Sequence, residues 1–370
     1  MSKRSGDESF DASGQLGRVA ELIQDWVDAG EVDGIAVAVA VHDEQVAELH
    51  AGNAAAGRPA QPDTLWPLAS ISKLYTAAAV MALVERGTLT LSLPVHAVLP
   101  RFTGGGKETV TVRQLLTHTS GLIYESPVME QRLIGQTPIE ELIEEAYLYP
   151  LMFQPGTRHS YSDYGFLLAG HLAAQVSGMS FEELVQTTVI EPAGLRDTYM
   201  RPPRSEYGRM AHVVGSLGYG TDGAMYNAPY ALDLAHPAFG AVTTVADLMR
   251  FGMLFSPTSG KRILSEATVM AMTSDQTGGH LMGGFPGQPG AERPVQWGLG
   301  FIILTPGGSG PELMSVGSYG HGGASGCYLW IDPLAGVTFA YTSNKHGNLG
   351  RIPFTRRMIA AANATMAALS

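Results

Sequence analysis

The chain is expected to fold as an α+β protein: an antiparallel sheet built from both chain ends and flanked by helices, with a mainly helical lobe inserted between. Three observations predict it. Strand-patterned segments cluster near residues 34–52 and again near 297–344. The stretch between them is dominated by helical spacing and irregular loops. At 370 residues the chain is long enough to bury a large core.

The first helix is expected over 14–30, GQLGRVAELIQDWVDAG, where apolar residues recur at helical intervals and Gly30 ends the run. GIAVAVAVH (34–42) and QVAELHAG (45–52) then read as a strand pair joined by the polar turn DE. A strong helix follows at 70–86. The middle section holds helices near 112–117, 138–146, 163–177, 180–190 and 245–255. Strands return as WGLGFIIL, YGHGG, CYLWID and VTFAYTSN, the last two joined by the turn PLAG, and a helix at about 352–368 closes the chain. The expected division is a polar tail at 1–13, a sheet lobe of 14–88 with 291–370, and an inserted lobe of 89–290. A cleft between two lobes is a common ligand site. QTGGHLMGGFPGQPG reads as a long surface connection, with a mobile flap as the alternative. No internal repeat or low-complexity tract is present.

Composition excludes several classes. Apolar residues make up 45% and charged residues 15%, which suits a soluble globular protein. A net charge of −11, with no basic stripe, argues against a nucleic-acid partner. No apolar run approaches the ~20 residues of a membrane span. The polar N-terminus lacks the apolar core of a secretory signal, so a cytoplasmic location is expected. The lone Cys327 cannot form an intrachain disulfide. In CYLWID it reads as a small buried residue rather than a nucleophile.

Chemistry is suggested first by PLASISKLYTAAAVMALVERG, residues 67–87. Of the chain's five lysines, Lys73 alone sits among apolar residues, on one helical face with Ser70. A desolvated amine can take a hydroxyl's proton. The structural alternative is a capping serine and a solvated lysine. Next, PGTRHSYSDYGFLLAG places Tyr161, Ser162 and Asp163 where a turn enters a helix. Tyr161 can act as a base if a cation lowers its pKa, or it can simply pack. Ser162 or Asp163 is expected to cap the helix. Finally, SYGHGGASGCYLWID ends a strand at His321, Gly322 and Gly323. Such an edge can offer the Ala324 N–H to an oxyanion, or it can be a hairpin turn with an exposed histidine.

Together S-x-x-K, a Y-x-[ND]-like triplet and H-x-G, in that order and in those contexts, resemble the serine β-lactamase-like superfamily. Within it the chain is similar to the branch of class C β-lactamases, D-Ala-D-Ala carboxypeptidases (penicillin-binding-protein-like enzymes), D-aminopeptidases and family VIII esterases. DTLWPLASISK, VTVRQLLTHTSGL, AFGAVTTVADLMRF and GHGGASGCYLWIDPLAG carry the resemblance over roughly residues 15–365.

The resemblance implies that Ser70 is acylated and that Lys73 and Tyr161 share the proton work. It implies an oxyanion hole from the N–H groups of Ser70 and Ala324, with His321, Gly322 and Gly323 lining the cleft. No metal or cofactor is needed, and the substrate is a small ester or amide. His118 in HTSGL is expected to be structural. Tyr124, Met129, Phe153, Tyr219 and Tyr226 are candidates for an acyl pocket.

Two departures shape the expectation. Asp163 stands where many relatives have asparagine. A carboxylate there should raise the Lys73 pKa, keep it charged and let its field turn Tyr161 into the base. His321 stands where β-lactamases usually have lysine, and a neutral imidazole gives up the attraction for a β-lactam carboxylate. The expected function is therefore a carboxylesterase on short-chain esters. β-Lactamase, D-amino-acid amidase or peptidase and acyltransferase are the alternatives within the enzyme class. A catalytically weak binding protein on the same fold is the alternative outside it. Oligomeric state is open.

Overall fold

The computed structural model describes residues 16–215, 224–278, 282–284, 293–308, 310–346 and 352–370. Helix α1 (Gly17–Asp28) leads into β1 (Gly34–Val41), β2 (Glu44–Ala55) and β3 (Arg58–Pro59). The C-terminal strands are β4 (Ile302–Ile303), β5 (Tyr319–Gly323), β6 (Cys327–Asp332) and β7 (Val337–Ser343). They make one seven-stranded antiparallel sheet in the order β4-β5-β6-β7-β1-β2-β3.

The join between the chain ends is β1 against β7, running from Ile35 opposite Ser343 to Val41 opposite Val337. GIAVAVAV is an unbroken apolar run because β1 is central and covered on both faces. Its side chains still alternate with period two. Ala36, Ala38 and Ala40 face one core, while Ile35, Val37 and Val39 face the other. Asn344 fastens the end of this pairing. Its Oδ1 accepts from the Gly34 N–H at 2.8 Å, and its Nδ2 donates to the Asn53 and Ala54 carbonyls at 3.1 Å each.

Helices cover both faces. The outer layer is α1 and, at the chain's end, Phe354–Leu369, which pack on each other and on the larger side chains of the sheet. The other layer, in chain order, is α2 (Ser72–Glu85), α3 (Val112–Leu116), α4 (Ile139–Leu148), α5 (Asp163–Ser177) and α6 (Val245–Met253); the terminal helix is α7. The alanine face of β1 suits this layer, because α6 lies close against β1 and β7. A side chain at Gly252 would bring its Cβ to 2.7 Å from Leu329 and 2.8 Å from Thr338. Helix α2 is buried at every residue from Ser72 to Leu83, so its apolar surface runs right round it. It packs on α5, which packs in turn on α3.

Three local differences from the sequence reading have physical reasons. In WGLGFIIL only Ile302–Ile303 pairs as strand. Gly300 has φ +92°, and Gly298 lies against the Met272 carbonyl, so the run turns back on itself and Trp297 meets Ile302 in a single antiparallel bridge. The segment 180–190 is a short α-helix, Phe181–Val185, that widens into a π-turn over Gln186–Ile190. There the Thr187 and Thr188 hydroxyls bond back to the Glu183 and Leu184 carbonyls. Helices also form at Met129–Ile134, Pro229–Asp233 and Glu266–Thr273, beyond the clearer ones that the sequence placed in this section. Among the described residues no helix is long and apolar enough to cross a membrane. The flap reading of QTGGHLMGGFPGQPG falls largely on residues outside the described ones.

Phe339, at the centre of β7, has no exposed surface and belongs to the core beneath α1 and α7. Phe339→Ala is expected to cost about 3–5 kcal/mol in urea denaturation. A loss under about 1 kcal/mol would show that the terminal helices do not rest on it.

Candidate active site

Ser70 lies in a single 3₁₀ turn, Ala69–Ile71, immediately before α2. Ala69 has φ +48°, a left-handed conformation unusual for a side chain with Cβ, so the backbone is strained beside the serine. The surroundings hold the strain in place. The Leu68 N–H donates to the Ala241 carbonyl at 2.9 Å, and the Ser72 hydroxyl donates to the Ala69 carbonyl at 2.6 Å. From the sheet, the Ser325 hydroxyl and Cys327 thiol both reach the Pro67 carbonyl, at 2.5 and 3.3 Å. Cys327 is buried and its thiol is pushed up to about 12 by that burial, as its strand position implied.

Lys73 has no exposed surface, which removes the solvated-lysine alternative. Its Nζ lies 3.2 Å from Ser70 Oγ, 3.0 Å from the Ala238 carbonyl and 2.7 Å from Asp163 Oδ1. It also stands 4.7 Å from the centre of the Tyr161 ring. The Tyr161 phenol is hydrogen-bonded to Ser70 and lies 3.5 Å from His321 Nε2. His321 is buried in the middle of β5, not exposed on a turn. Its Nδ1 is 2.6 Å from the Gly322 carbonyl, so Nδ1 carries the proton and Nε2 faces Tyr161 as an acceptor.

Gly323 brings the strand end against the serine turn. A Cβ there would sit 2.1 Å from the Leu68 carbonyl and 3.6 Å from the Ala69 methyl. Half-buried Ala324 follows directly, with half-buried Gly322 on its other side. Tyr161 has a wall of rings behind it. His118 is 4.2 Å away between ring centres, and Trp297 and His321 are 5.9 and 6.0 Å away. His118 also accepts the Ser162 N–H on Nδ1 at 3.0 Å, so it positions the entrance to α5.

On four points the structure decides between alternatives or corrects an expectation. Ser162, not Asp163, caps α5, its hydroxyl accepting from the Gly165 N–H at 3.0 Å. That frees Asp163 to face Lys73. Second, burial outweighs the carboxylate in setting Lys73, whose pKa is moved down, while burial moves Asp163 up. Both partners of the ion pair are thus drawn toward their neutral forms. Third, Tyr161 is held well above its ordinary value by burial and then by Asp163, so it is a proton donor in the resting site. Fourth, Met129 is packed in the core.

Of the other pocket candidates, Tyr124 is exposed, with its ring 6.1 Å from that of Tyr161. Tyr226 is buried and stacks on His346. Phe153 is half-buried, and its carbonyl packs on Gly121. Tyr219 lies outside the described residues.

The sequence reading missed the Ala238 carbonyl, Trp297, His159 and Glu125. The first lay in the quoted AFGAVTTVADLMRF and Glu125 directly followed HTSGLIY, but neither spacing told which way the groups face. Among the described residues no group of three His, Cys, Asp or Glu side chains is placed to hold a metal ion.

The architecture is that of the serine β-lactamase-fold hydrolases, with a hydroxyl, a buried amine and a phenol gathered at the sheet's edge. The chain belongs to the beta-lactamase family, whose model, described as Beta-lactamase, matches residues 19–364. Penicillin-binding protein 4 of Amycolatopsis lactamdurans is 29% identical over 329 residues, 85% of this chain and 81% of that protein. Esterase EstB of Burkholderia gladioli is 31% identical over 206 residues, about half of each chain (51% and 52%). A solved penicillin-binding protein homolog from Caulobacter crescentus superposes with a TM-score of 0.73 at 28% identity, covering 95% of this chain and 97% of that one.

The imidazoles predict an acid limit. Unfolded histidines titrate near 6.5, whereas burial holds His159 at about 4, His236 and His321 at about 3, and His118 well below its usual value. Below pH 6.5 the unfolded chain therefore binds more protons, and stability falls. Above that pH the contribution is complete. Each histidine adds a slope of about 1.4 kcal/mol per pH unit. Melting temperature is expected to drop steadily from pH 7 to about pH 5, and less steeply in His159→Phe. A flat profile would contradict this account.

Proposed function

We propose that this chain is a carboxylesterase that hydrolyses short-chain esters through an acyl-enzyme on Ser70. The observation that carries the reading is the 3.2 Å approach of Ser70 Oγ to the wholly buried Lys73 amine. An amine desolvated in this way is a usable base near neutral pH.

In the proposed sequence Ser70 Oγ attacks the ester carbon and its proton passes to Lys73. The N–H groups of Ser70 and Ala324 receive the oxyanion. Collapse breaks the ester bond, and Tyr161 protonates the departing alkoxide and is reprotonated from Lys73. His321 Nε2 orients the phenol by accepting its O–H. A water then attacks the acyl carbon by the same route in reverse, and Ser70 leaves with a proton. Gly322 and Gly323 leave room for the acyl group, and Asp163 sets how readily Lys73 carries its proton. Esters are favoured over β-lactams because His321, neutral at pH 7, supplies no cation for a β-lactam carboxylate. The likeness to penicillin-binding protein 4 makes D-amino amides the second class to assay.

On p-nitrophenyl butyrate at about pH 8, Ser70→Ala is expected to lose at least about 10³-fold in kcat and all labelling by a fluorophosphonate. Equal rates in both proteins would remove Ser70 from the role, and labelling absent in both would favour the binding protein. Asp163→Asn takes away the carboxylate that favours the Lys73 ammonium. The acidic limb of the kcat/KM profile should then move down by about one pH unit. A limb that stays in place would separate Asp163 from the base.

A further inference from the structure

Among the described residues the charges of the cleft are unevenly matched. Its lysine is fully buried and already faces Asp163 at 2.7 Å, and His321 is neutral. Glu125 is left over. The segment before it is strapped across the start of α5. The Ser162 hydroxyl donates to the Ile123 carbonyl at 2.6 Å, and the Asp163 and Tyr164 N–H groups donate to the Tyr124 carbonyl at 2.7 and 3.3 Å. This strap brings Glu125 within electrostatic range of both Asp163 and Lys73.

Glu125 is half-buried, and among the described residues no hydrogen bond or ion pair reaches its carboxyl group. Burial, and then Asp163, push that carboxyl up to about 8 against the pull of Lys73, so it ionises above that pH and is then short of a counter-charge. Tyr124, its neighbour in the chain and in electrostatic range of it, is 36% exposed, with its ring 6.1 Å from that of Tyr161. A carboxylate flanked by an accessible aromatic face is suited to an ammonium group, which gains both an ion pair and a cation–π contact. A carboxylate placed there would meet repulsion instead.

We propose that Glu125, with the Tyr124 ring, selects substrates whose acyl part carries a positively charged amine and rejects those that carry a carboxylate. The proposal rests on the ester-hydrolase reading and names its substrate class.

The test compares p-nitrophenyl esters of three acids of matched length: hexanoic, trimethylammoniohexanoic and adipic. kcat/KM is measured at about pH 8.5 for wild type, Glu125→Gln and Glu125→Lys. Each protein is judged by its own ratio of cationic to anionic ester, so differences in folded fraction cancel. The ratio is expected to be at least about tenfold in wild type, to fall toward unity in Glu125→Gln and to invert in Glu125→Lys. A wild-type ratio near unity, or one that Glu125→Gln leaves in place, overturns the proposal. If wild type hydrolyses none of the three, it is the esterase reading that fails. Selectivity is then read from melting-temperature shifts with the matching neutral, ammonium-bearing and carboxylate-bearing alkylboronic acids. An order unchanged in Glu125→Gln, or no shift with any of them, overturns the proposal as well.

Discussion

A lysine amine with none of its surface in water has to be held from every side, and the rest of the site is arranged around that requirement. Leaving an ammonium unpaired at such depth costs several kcal/mol. Here α5 supplies the Asp163 carboxylate and the segment before α6 supplies the Ala238 carbonyl, while Ser70 closes the third direction. The same segment binds α2 a turn later, where Thr76 donates to the Pro237 carbonyl at 2.6 Å. A side chain on Gly170 would collide with Pro237, so α5 and this loop pack in direct contact. The amine thus ties together elements that are far apart in sequence, and its proton affinity is a property of their packing.

Much of this was legible in the sequence because period and punctuation carry it. The β1–β2 hairpin, the helix after Ser70, the β6–β7 hairpin and the closing helix follow from apolar spacing and turn residues. Pairing of the two chain ends followed from the placement of strands. Ser70, Lys73, Tyr161, Asp163 and His321 come together as their motifs suggested. What failed was directional or electrostatic. Spacing could not tell whether Ser162 or Asp163 would cap α5, since both types suit that position. It could not weigh burial against a neighbouring carboxylate at Lys73, because burial is set by tertiary packing. Met129 looked like a pocket residue because its loop was taken for irregular, when it begins a helix whose face is packed. WGLGFIIL has strand composition, yet two glycines at close approaches bend its first half away.

Neutrality is the other theme of the site. Buried imidazoles at 118, 159 and 321 pack edge-on or tilted around Trp297, those at 118 and 321 also against Tyr161, and their pKa values are lowered by burial. Rings of this kind give a rigid wall of low polarity without adding a cation near Lys73, where a second positive charge would lower its proton affinity further. The phenol gains an acceptor in His321 and remains protonated. Among the described residues at the site, Lys73 is the one buried amine and its charge is already matched by Asp163.

The central strand pair has a consequence for how the protein is made. Gly34 and Asn344 are bonded across 310 positions of chain. On a ribosome, β1 emerges, apolar on both faces, long before its partner β7. In the meantime its local neighbours β2 and α1 can pair with it and cover one of its faces. Folding is therefore governed by a late, long-range closure, slow by the entropy of the loop it must gather. A nascent chain in this condition depends on holding factors, or on early packing of the intervening helices, to keep an aggregation-prone strand edge out of reach of its neighbours.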